Sequence, residues 1–256
     1  MRIILTNDDG VRALGLELAI KTLVPLGELF VVAPEHQRSA CGHAITLHKA
    51  LRMWEVDTGL PVTVHASNGM PTDCITLAYG ALAGHRADLV VAGINRGANL
   101  GWDLTYSGTV AAAMEGAVIG LPSIAISIAY YNDGSEVHYD GAVAFLSRLA
   151  PLMGDHPLPE HSLLNINCPN VPARDIKGVR VVRQGTRQYK DRLESRSDPW
   201  GSTYYWLGGT VVADASEEGT DVEAVAGGYI SVTPVHLDLT AHDALDRVRD
   251  WLRPVE

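Results

Sequence analysis

Two adjacent carboxylates placed just behind a short apolar run are the first residues of this chain equipped for chemistry. Ile3-Ile4-Leu5-Thr6 leads directly into Asn7-Asp8-Asp9-Gly10. Neighbouring residues of a strand point to opposite faces, so Asp8 and Asp9 converge only if the strand ends before them and the chain turns, which Gly10 eases. Carboxylates held together repel, and a shared proton or a bound cation relieves the repulsion. The plainer alternative is an Asp that caps a helix beside a solvated neighbour. Two further loops offer partners. Glu35-His36-Gln37-Arg38-Ser39-Ala40-Cys41-Gly42 carries a hydroxyl, a guanidinium and an imidazole, with His36 and His43 read as surface or structural histidines. Gly93-Ile94-Asn95-Arg96-Gly97-Ala98-Asn99 presents Asn95 directly after an apolar run, as Asp8 is presented. Carboxylates, a hydroxyl and a carboxamide are all oxygen donors, which favours a hard cation such as Mg or Mn over zinc. Tyr106-Ser107-Gly108-Thr109 then runs into the helical stretch Val110-Ala111-Ala112-Ala113-Met114-Glu115. Free N–H groups and hydroxyls there suit an anion, or a simple N-cap. A metal loop and an anion loop at one sheet edge together imply a phosphate ester bound to a metal. Two carboxylates in the first loop also argue against a dinucleotide cofactor, whose pyrophosphate needs glycine-rich backbone donors at that place.

The elements that must position these residues follow from the apolar pattern. Leu29 to Ala33, Leu89 to Ile94 and Ser123 to Ser127 repeat the buried, largely β-branched run of Ile3 to Thr6. Such runs indicate strands covered on both faces, as in parallel sheets. Helical spacing over Leu14 to Ile20, Thr72 to Leu82, Thr109 to Ile119 and Asp140 to Ala150 alternates with them as in βαβ units. The expected fold class is α/β: a Rossmann-like, doubly wound, mostly parallel sheet with a C-terminal β-hairpin extension. Residues 1–175 form the metal- and phosphate-binding core. Residues 176–227 form a basic β arm for oligomerisation or for bordering the active site, with strands at Val179 to Val182, Thr203 to Trp206 and Thr210 to Val212. Residues 228–256 supply a final strand at Ile230 to Val232 and a helix near Ala241 to Leu252. Between Arg174 and Arg196, eight basic residues (Arg174, Lys177, Arg180, Arg183, Arg187, Lys190, Arg192, Arg196) face only Asp175, Asp191 and Glu194. That stretch reads as a solvated surface or subunit contact, or as the border of an anionic substrate. Tyr189, Tyr204, Tyr205 and Trp206 could stack on a base or pack an interface.

Composition bounds the partners. The 256 residues carry 20 Lys and Arg against 30 Asp and Glu, a net charge of −10 that repels long nucleic acid. Three cysteines, none in a C-x-x-C pair, suit a reducing compartment, so the expected location is the cytoplasm. The apolar start reaches Asn7-Asp8-Asp9 too soon for a secretory signal, and no apolar run reaches membrane-spanning length, so no membrane partner is expected.

Beyond these readings the chain resembles a known family. Asn7-Asp8-Asp9-Gly10, Ala33-Pro34 with Arg38-Ser39, Gly69-Met70-Pro71-Thr72-Asp73-Cys74, Gly93 to Asn99, Tyr106-Ser107-Gly108-Thr109-Val110 and Ile230-Ser231-Val232-Thr233-Pro234 are similar to the signature blocks of the SurE (survival protein E) 5'/3'-nucleotidases. Six blocks in register span nearly the whole chain; Ala92, Met70 and Ala111 depart from the usual residues without touching a proposed ligand. The resemblance implies a phosphomonoesterase that acts on nucleoside 5'- and 3'-monophosphates, and in some members also on short polyphosphate. It implies one divalent metal ion held by Asp8, Asp9, Ser39 and Asn95, and assembly as a homodimer or homotetramer through exchanged C-terminal elements. Asp8 and Asp9 are the expected catalytic pair, with Asp9 orienting or deprotonating the attacking water, and Asn95, Ser107, Gly108 and Thr109 are expected on the phosphate. An aspartyl-phosphate route is disfavoured because the haloacid-dehalogenase spacing is Asp-x-Asp. The alternative class is a non-enzymatic, metal-dependent phosphoacceptor of receiver type, which would need a further Asp and a Lys where Asn95 and Ser127 stand.

Overall fold

The computed structural model describes residues 1–256 except 132–133, 191–192, 208–209, 214–216, 254 and 256, so Asp191 and Arg192 of the basic stretch lie outside the described residues. The strands are β1 (Arg2–Thr6), β2 (Glu28–Pro34), β3 (Met53–Val56), β4 (Val64–Ser67), β5 (Leu89–Arg96), β6 (Ser123–Ala129), β7 (Ser162–Pro169), β8 (Val179–Val181), β9 (Arg187–Lys190), β10 (Leu193–Ser197), β11 (Thr203–Leu207), β12 (Thr210–Ala213) and β13 (Ile230–His236). The helices are α1 (Leu14–Leu23), α2 (Pro71–Leu77), α3 (Gly108–Val118), α4 (Asp140–Leu149), α5 (Asp221–Ala226) and α6 (Leu245–Leu252).

Nine strands form one sheet in the order β3-β4-β2-β1-β5-β6-β7-β13-β8. The run from β4 to β7 is parallel, and β3 and β13 pair antiparallel with β4 and β7. Alternation along the strands divides the apolar side chains between two cores. Ile3, Leu5, Val31, Ala33, Leu89 and Val91 pack with α1 and α4, whereas Ile4, Phe30, Val32, Val90 and Ala92 pack with α2 and α3. Burial of both faces is why these strands read as continuous apolar runs. The doubly wound, mostly parallel α/β architecture is therefore as expected.

The structure also contains elements that the pattern did not disclose. β7 is wholly buried, but Asn165 and Asn167 interrupt its apolar residues and hide it from a hydropathy reading. β3 and β4 are four-residue strands at the sheet edge. The helix expected to Leu82 remains α-helical only to Leu77 and widens into a π turn over Ala78–Leu82. The helix expected from Ala241 begins at Leu245, after a 3-10 turn at His242–Ala244.

The segment 176–227 divides between sheet and ribbon. β8 joins the main sheet beside β13, and α5 packs against β7 and β13. Two antiparallel ribbons stand apart from the sheet, the β10–β11 hairpin and the β9–β12 pair. Three arginines of the basic stretch are spent on internal ion pairs: Arg180 with Glu223 at 2.9 Å, Arg183 with Glu217 at 2.7 Å and Arg187 with Asp103 at 2.6 Å. Acids 34 to 84 residues away along the chain, two downstream and one upstream, thus neutralise charge that looked unopposed over the local window. Among the described residues no helix is long and apolar enough to cross a membrane.

Strand order places the chemistry. From β1 the chain winds to one side, through α1 to β2, and from β5 to the other, through α3 to β6. The loops after β1 and β5 part at this switch point, where open α/β sheets bind ligands beyond their carboxyl ends.

Candidate active site

β1 stops at Thr6, and the next three residues make a tight loop. Asn7 is fully buried and its Nδ2 donates to the Gly10 carbonyl at 3.0 Å. Gly10 has φ of 101°, a left-handed conformation that favours glycine. The Asp8 carbonyl is fixed from outside by the Arg38 N–H at 2.7 Å. Asp8 and Asp9 consequently face one cavity of about 660 Å³, whose wall also includes Ser39, Asn95 and Ser107.

Asp8 is 6% exposed and lies against the first turn of α3. The Thr109 hydroxyl donates to its Oδ1, and the Thr109 backbone N–H also favours the carboxylate. The helix N-terminus expected to bind phosphate is thus partly satisfied by Asp8 itself. Asp8 does cap a helix, but one that begins a hundred residues later rather than the helix that follows it in sequence. Thr109 is fully buried and directs its hydroxyl to Asp8, so that hydroxyl is not presented to the cavity. Gly108 is needed for the close approach, since a Cβ there would come within 3.0 Å of the Asp8 Oδ2 and 2.8 Å of the Cys41 Sγ. Ser107 is the N-cap, its Oγ accepting from the Val110 N–H at 3.1 Å, and it also lines the cavity.

Burial, reinforced by the neighbouring Asp9, pushes the Asp8 carboxyl up to about 6 against the pull of Thr109. Asp9 is also raised by burial, with the Arg96 N–H and guanidinium opposing. Its Oδ2 accepts from the Arg96 backbone N–H at 2.9 Å, and its Oδ1 from Gln37 Nε2 at 3.4 Å. The same Gln37 nitrogen donates to Ser39 Oγ at 2.8 Å, joining the loop after β2 to the one after β1. Neither Gln37 nor Arg96 was singled out by residue type, because each acts on Asp9 through a contact made by folding.

Asn95 lies within the end of β5 rather than after it, beyond a register shift between Ala92 and Asn95 that re-aims the strand. Gly93 permits the shift: its φ is 136°, and a Cβ would come within 2.4 Å of the Ile126 carbonyl oxygen. Asn95 Nδ2 donates to the Gly97 carbonyl at 2.9 Å. A carbonyl can only accept, so the amide nitrogen is committed and Oδ1 is the end available to a ligand.

A buried polar clamp holds the far end of this loop. The Asn99 backbone N–H donates to Asn167 Oδ1 at 2.8 Å, and its Nδ2 donates to Ser127 Oγ at 2.7 Å. Its carbonyl accepts from Asn165 and Asn167 at 2.9 and 3.0 Å. The two asparagines that obscured β7 are the ones that anchor the site. Asp221 at the start of α5 accepts from Gly101, Gly185 and its own helix at Val222, tying the next turn to the C-terminal segment.

The donor set fits a hard cation. Two carboxylates, one deeply buried, share a cavity with a hydroxyl and a carboxamide oxygen, and neither carboxylate makes an ion pair among the described residues. No group of three or more His, Cys, Asp or Glu that could hold a metal occurs among the described residues, so any cation here rests on two carboxylates and neutral oxygens. Of the two histidines nearby in sequence, His36 is exposed beside Glu35, and His43 meets Glu115 at 3.2 Å; neither lines the cavity.

Known proteins match this arrangement along its length. A family model described as Survival protein SurE matches residues 3–191. The chain is 43% identical over 251 residues to the 5'-nucleotidase SurE of Geotalea uraniireducens, covering 98% of this chain and 99% of that one. It is 45% identical over 255 residues to the 5'/3'-nucleotidase SurE of Escherichia coli, covering 100% and 98%. The crystal structure of the SurE protein from Aquifex aeolicus matches with a TM-score of 0.85 at 38% identity, over 98% of this chain and 99% of that one.

Proposed function

The chain belongs to the SurE family, and from that premise we propose that it is a phosphoric monoester hydrolase converting nucleoside 5'- and 3'-monophosphates to nucleoside and inorganic phosphate. The observation that carries the reading is the convergence of Asp8, Asp9, Ser39, Asn95 and Ser107 on one cavity at the switch point of the sheet. Asp8, Asp9, Ser39 Oγ and Asn95 Oδ1 would hold one divalent cation, with Mg or Mn favoured by an all-oxygen set. When bound, the cation neutralises phosphate charge and lowers the pKa of a water.

The protein's own groups do the rest. Asp9 orients the attacking water and receives its proton, held for that task by the Arg96 N–H and Gln37. Ser107 and the first-turn N–H of Gly108 bind the phosphate oxygens, where fixed dipoles count most as charge develops. Thr109 acts one contact back, by orienting Asp8. The water oxygen bonds to phosphorus, the ester P–O bond breaks, and the departing oxygen takes up a proton to leave as the nucleoside hydroxyl.

The receiver-type reading is not favoured, because Asn95 and Ser127 occupy the positions where it needs an acid and a lysine. Three free thiols support a cytoplasmic location. Exposed Trp200, Tyr205 and Trp206 at the β10–β11 hairpin, with Trp251 and Leu252 on α6, support assembly as a homodimer or homotetramer. The test is phosphate release from adenosine 5'- and 3'-monophosphate, with tripolyphosphate in parallel, in Mg, in Mn and after chelation. Loss on chelation with recovery in Mg or Mn is expected; turnover that resists chelation overturns the assignment.

A further inference from the structure

A second cavity, of about 760 Å³, meets the first over Asp9, Gln37 and Arg96. Its remaining wall is Ala13, Leu14, Tyr130, Val137 and Tyr139. The two cavities differ in chemistry. The first gathers the acids, hydroxyls and helix N-terminus suited to a cation and a phosphate. The second offers two phenol rings, aliphatic side chains and one guanidinium, and its volume lies within the roughly 300–1,000 Å³ usual for small-molecule sites.

We propose that this second cavity seats the nucleoside of the substrate, with Tyr139 and Arg96 as its recognition residues. The inference rests on the nucleotidase reading and adds the location of the base. A nucleoside monophosphate is a dianionic head joined to an uncharged body with an aromatic face and sugar hydroxyls. A phosphate held beside Asp9 leaves that body to cross the rim of the first cavity, and the rim shared with a second cavity is Asp9, Gln37 and Arg96.

Arg96 is built to meet it. Its backbone N–H is fixed on Asp9, so the side chain starts from the rim itself. Its guanidinium lies 4.7 Å from the centroid of the Tyr130 ring, also donates to the Tyr130 hydroxyl and acts on Asp9 through space, and forms no close ion pair with a carboxylate among the described residues. A guanidinium stacked on one ring presents its other face for a second planar group. Tyr130 beneath it is 8% exposed, so the platform is rigid. Across the cavity Tyr139 is half-buried against the start of α1, where its ring carbon would lie 3.4 Å from a Cβ at Gly15. Leu14, a large apolar residue 53% exposed at the first position of α1, completes an apolar wall whose Val137 and Tyr139 pack on the core from behind. Tyr139 Oη, the Gln37 amide and the guanidinium supply donors and acceptors for sugar hydroxyls.

The other exit from the first cavity passes Tyr106 and Leu207, and the experiment separates the two. Steady-state kinetics of the full-length wild type, Tyr139→Ala, Tyr139→Phe, Arg96→Ala and Tyr106→Ala are compared on adenosine monophosphate and on glycerol phosphate, which has no base, in the same divalent metal. Base stacking on an aromatic ring predicts a KM for adenosine monophosphate raised about tenfold in Tyr139→Ala and Arg96→Ala. For Tyr139→Ala, kcat and the kcat/KM for glycerol phosphate stay within about twofold of wild type, and Tyr139→Phe recovers most of the loss; Arg96→Ala, whose guanidinium also acts on Asp9, is read by its affinity for adenosine and not by kcat. Competitive inhibition by adenosine weakens in the same two variants, a readout independent of turnover. Equal losses on both esters in Tyr139→Ala, unchanged adenosine inhibition in both variants, or a raised KM in Tyr106→Ala alone overturns the subsite while the nucleotidase reading stands. Hydrolysis of neither ester by wild type overturns that reading and the subsite with it.

Discussion

Asp8 is an acid held in an unfavourable place for its charge. Raising a carboxyl from 3.8 to about 6 makes its ionised form roughly 3 kcal/mol less favourable in the fold than in the unfolded chain. At neutral pH, Asp8 therefore works against folding until a cation offsets its charge. Asp8→Asn keeps an oxygen for the Thr109 hydroxyl and removes that charge. The expected outcome is a higher melting temperature than wild type in chelator, no further rise on adding Mg or Mn, and loss of metal-dependent phosphate release. Wild type in the same scan is stabilised by the metal, since a ligand bound only by the native state adds to its stability. Near-wild-type turnover by Asp8→Asn would remove Asp8 from the metal set. Ser107 presents a milder case: Ser107→Ala removes the cap on Val110 N–H and costs about 1 kcal/mol of stability, measured by urea denaturation.

Between residue and fold, the loop after β5 is positioned from a distance. Asn167 on β7 holds both backbone polar groups of Asn99, accepting from its N–H and donating to its carbonyl. Asn167→Ala leaves a buried N–H unpaired and deletes one donor to a carbonyl that Asn165 still serves, which costs about 1–3 kcal/mol. The freed loop carries Asn95 and the Arg96 N–H, so weaker binding of Mn in a direct titration is expected together with a lower kcat. A stability loss with unchanged Mn affinity would make the clamp merely structural. Arg187 does similar work from β9: its side chain is 6% exposed and paired with Asp103, which lines the first cavity. Arg187→Met leaves Asp103 without that partner and is expected to destabilise by about 3–5 kcal/mol in chemical denaturation.

At the scale of the whole molecule, a net charge of −10 coexists with a site for an anion because a cation held by Asp8 and Asp9 would offset the site's own negative charge, while Arg180 and Arg183 of the basic stretch are taken up by ion pairs of their own. The exposed apolar groups lie elsewhere. On α6, Leu245, Val248, Trp251 and Leu252 lie on neighbouring turns, all at least 39% exposed, on a helix too short to persist alone in water. A second copy of the chain that covers them accounts for both facts. Trp251→Asp is expected to shift sedimentation velocity towards a smaller species than wild type. An unchanged sedimentation coefficient would exclude α6 from the interface.

Local order was sufficient for the parallel strands β1, β2, β5 and β6 and the loops behind them, because burial on both faces leaves a continuous apolar run and a chemical loop interrupts it abruptly. Asp8, Asp9, Ser39, Asn95 and Ser107 could be named from type and position for that reason. Their partners could not. Asp8 meets Thr109 across 101 residues, Asp9 meets the Arg96 N–H across 87, and Asn99 meets Asn167 across 68. No periodicity encodes those separations; they arise when β1, β5, β6 and β7 align side by side and their ends come to one edge. β7 was illegible for the same reason that it matters, since asparagines that spoil an apolar run are tolerated only where folding supplies buried partners for them. Residue types thus announced the kind of chemistry, and the tertiary structure decided which backbone and which helix each acid would face, because hydrogen bonds act over a few ångströms of space however far apart the residues lie along the chain.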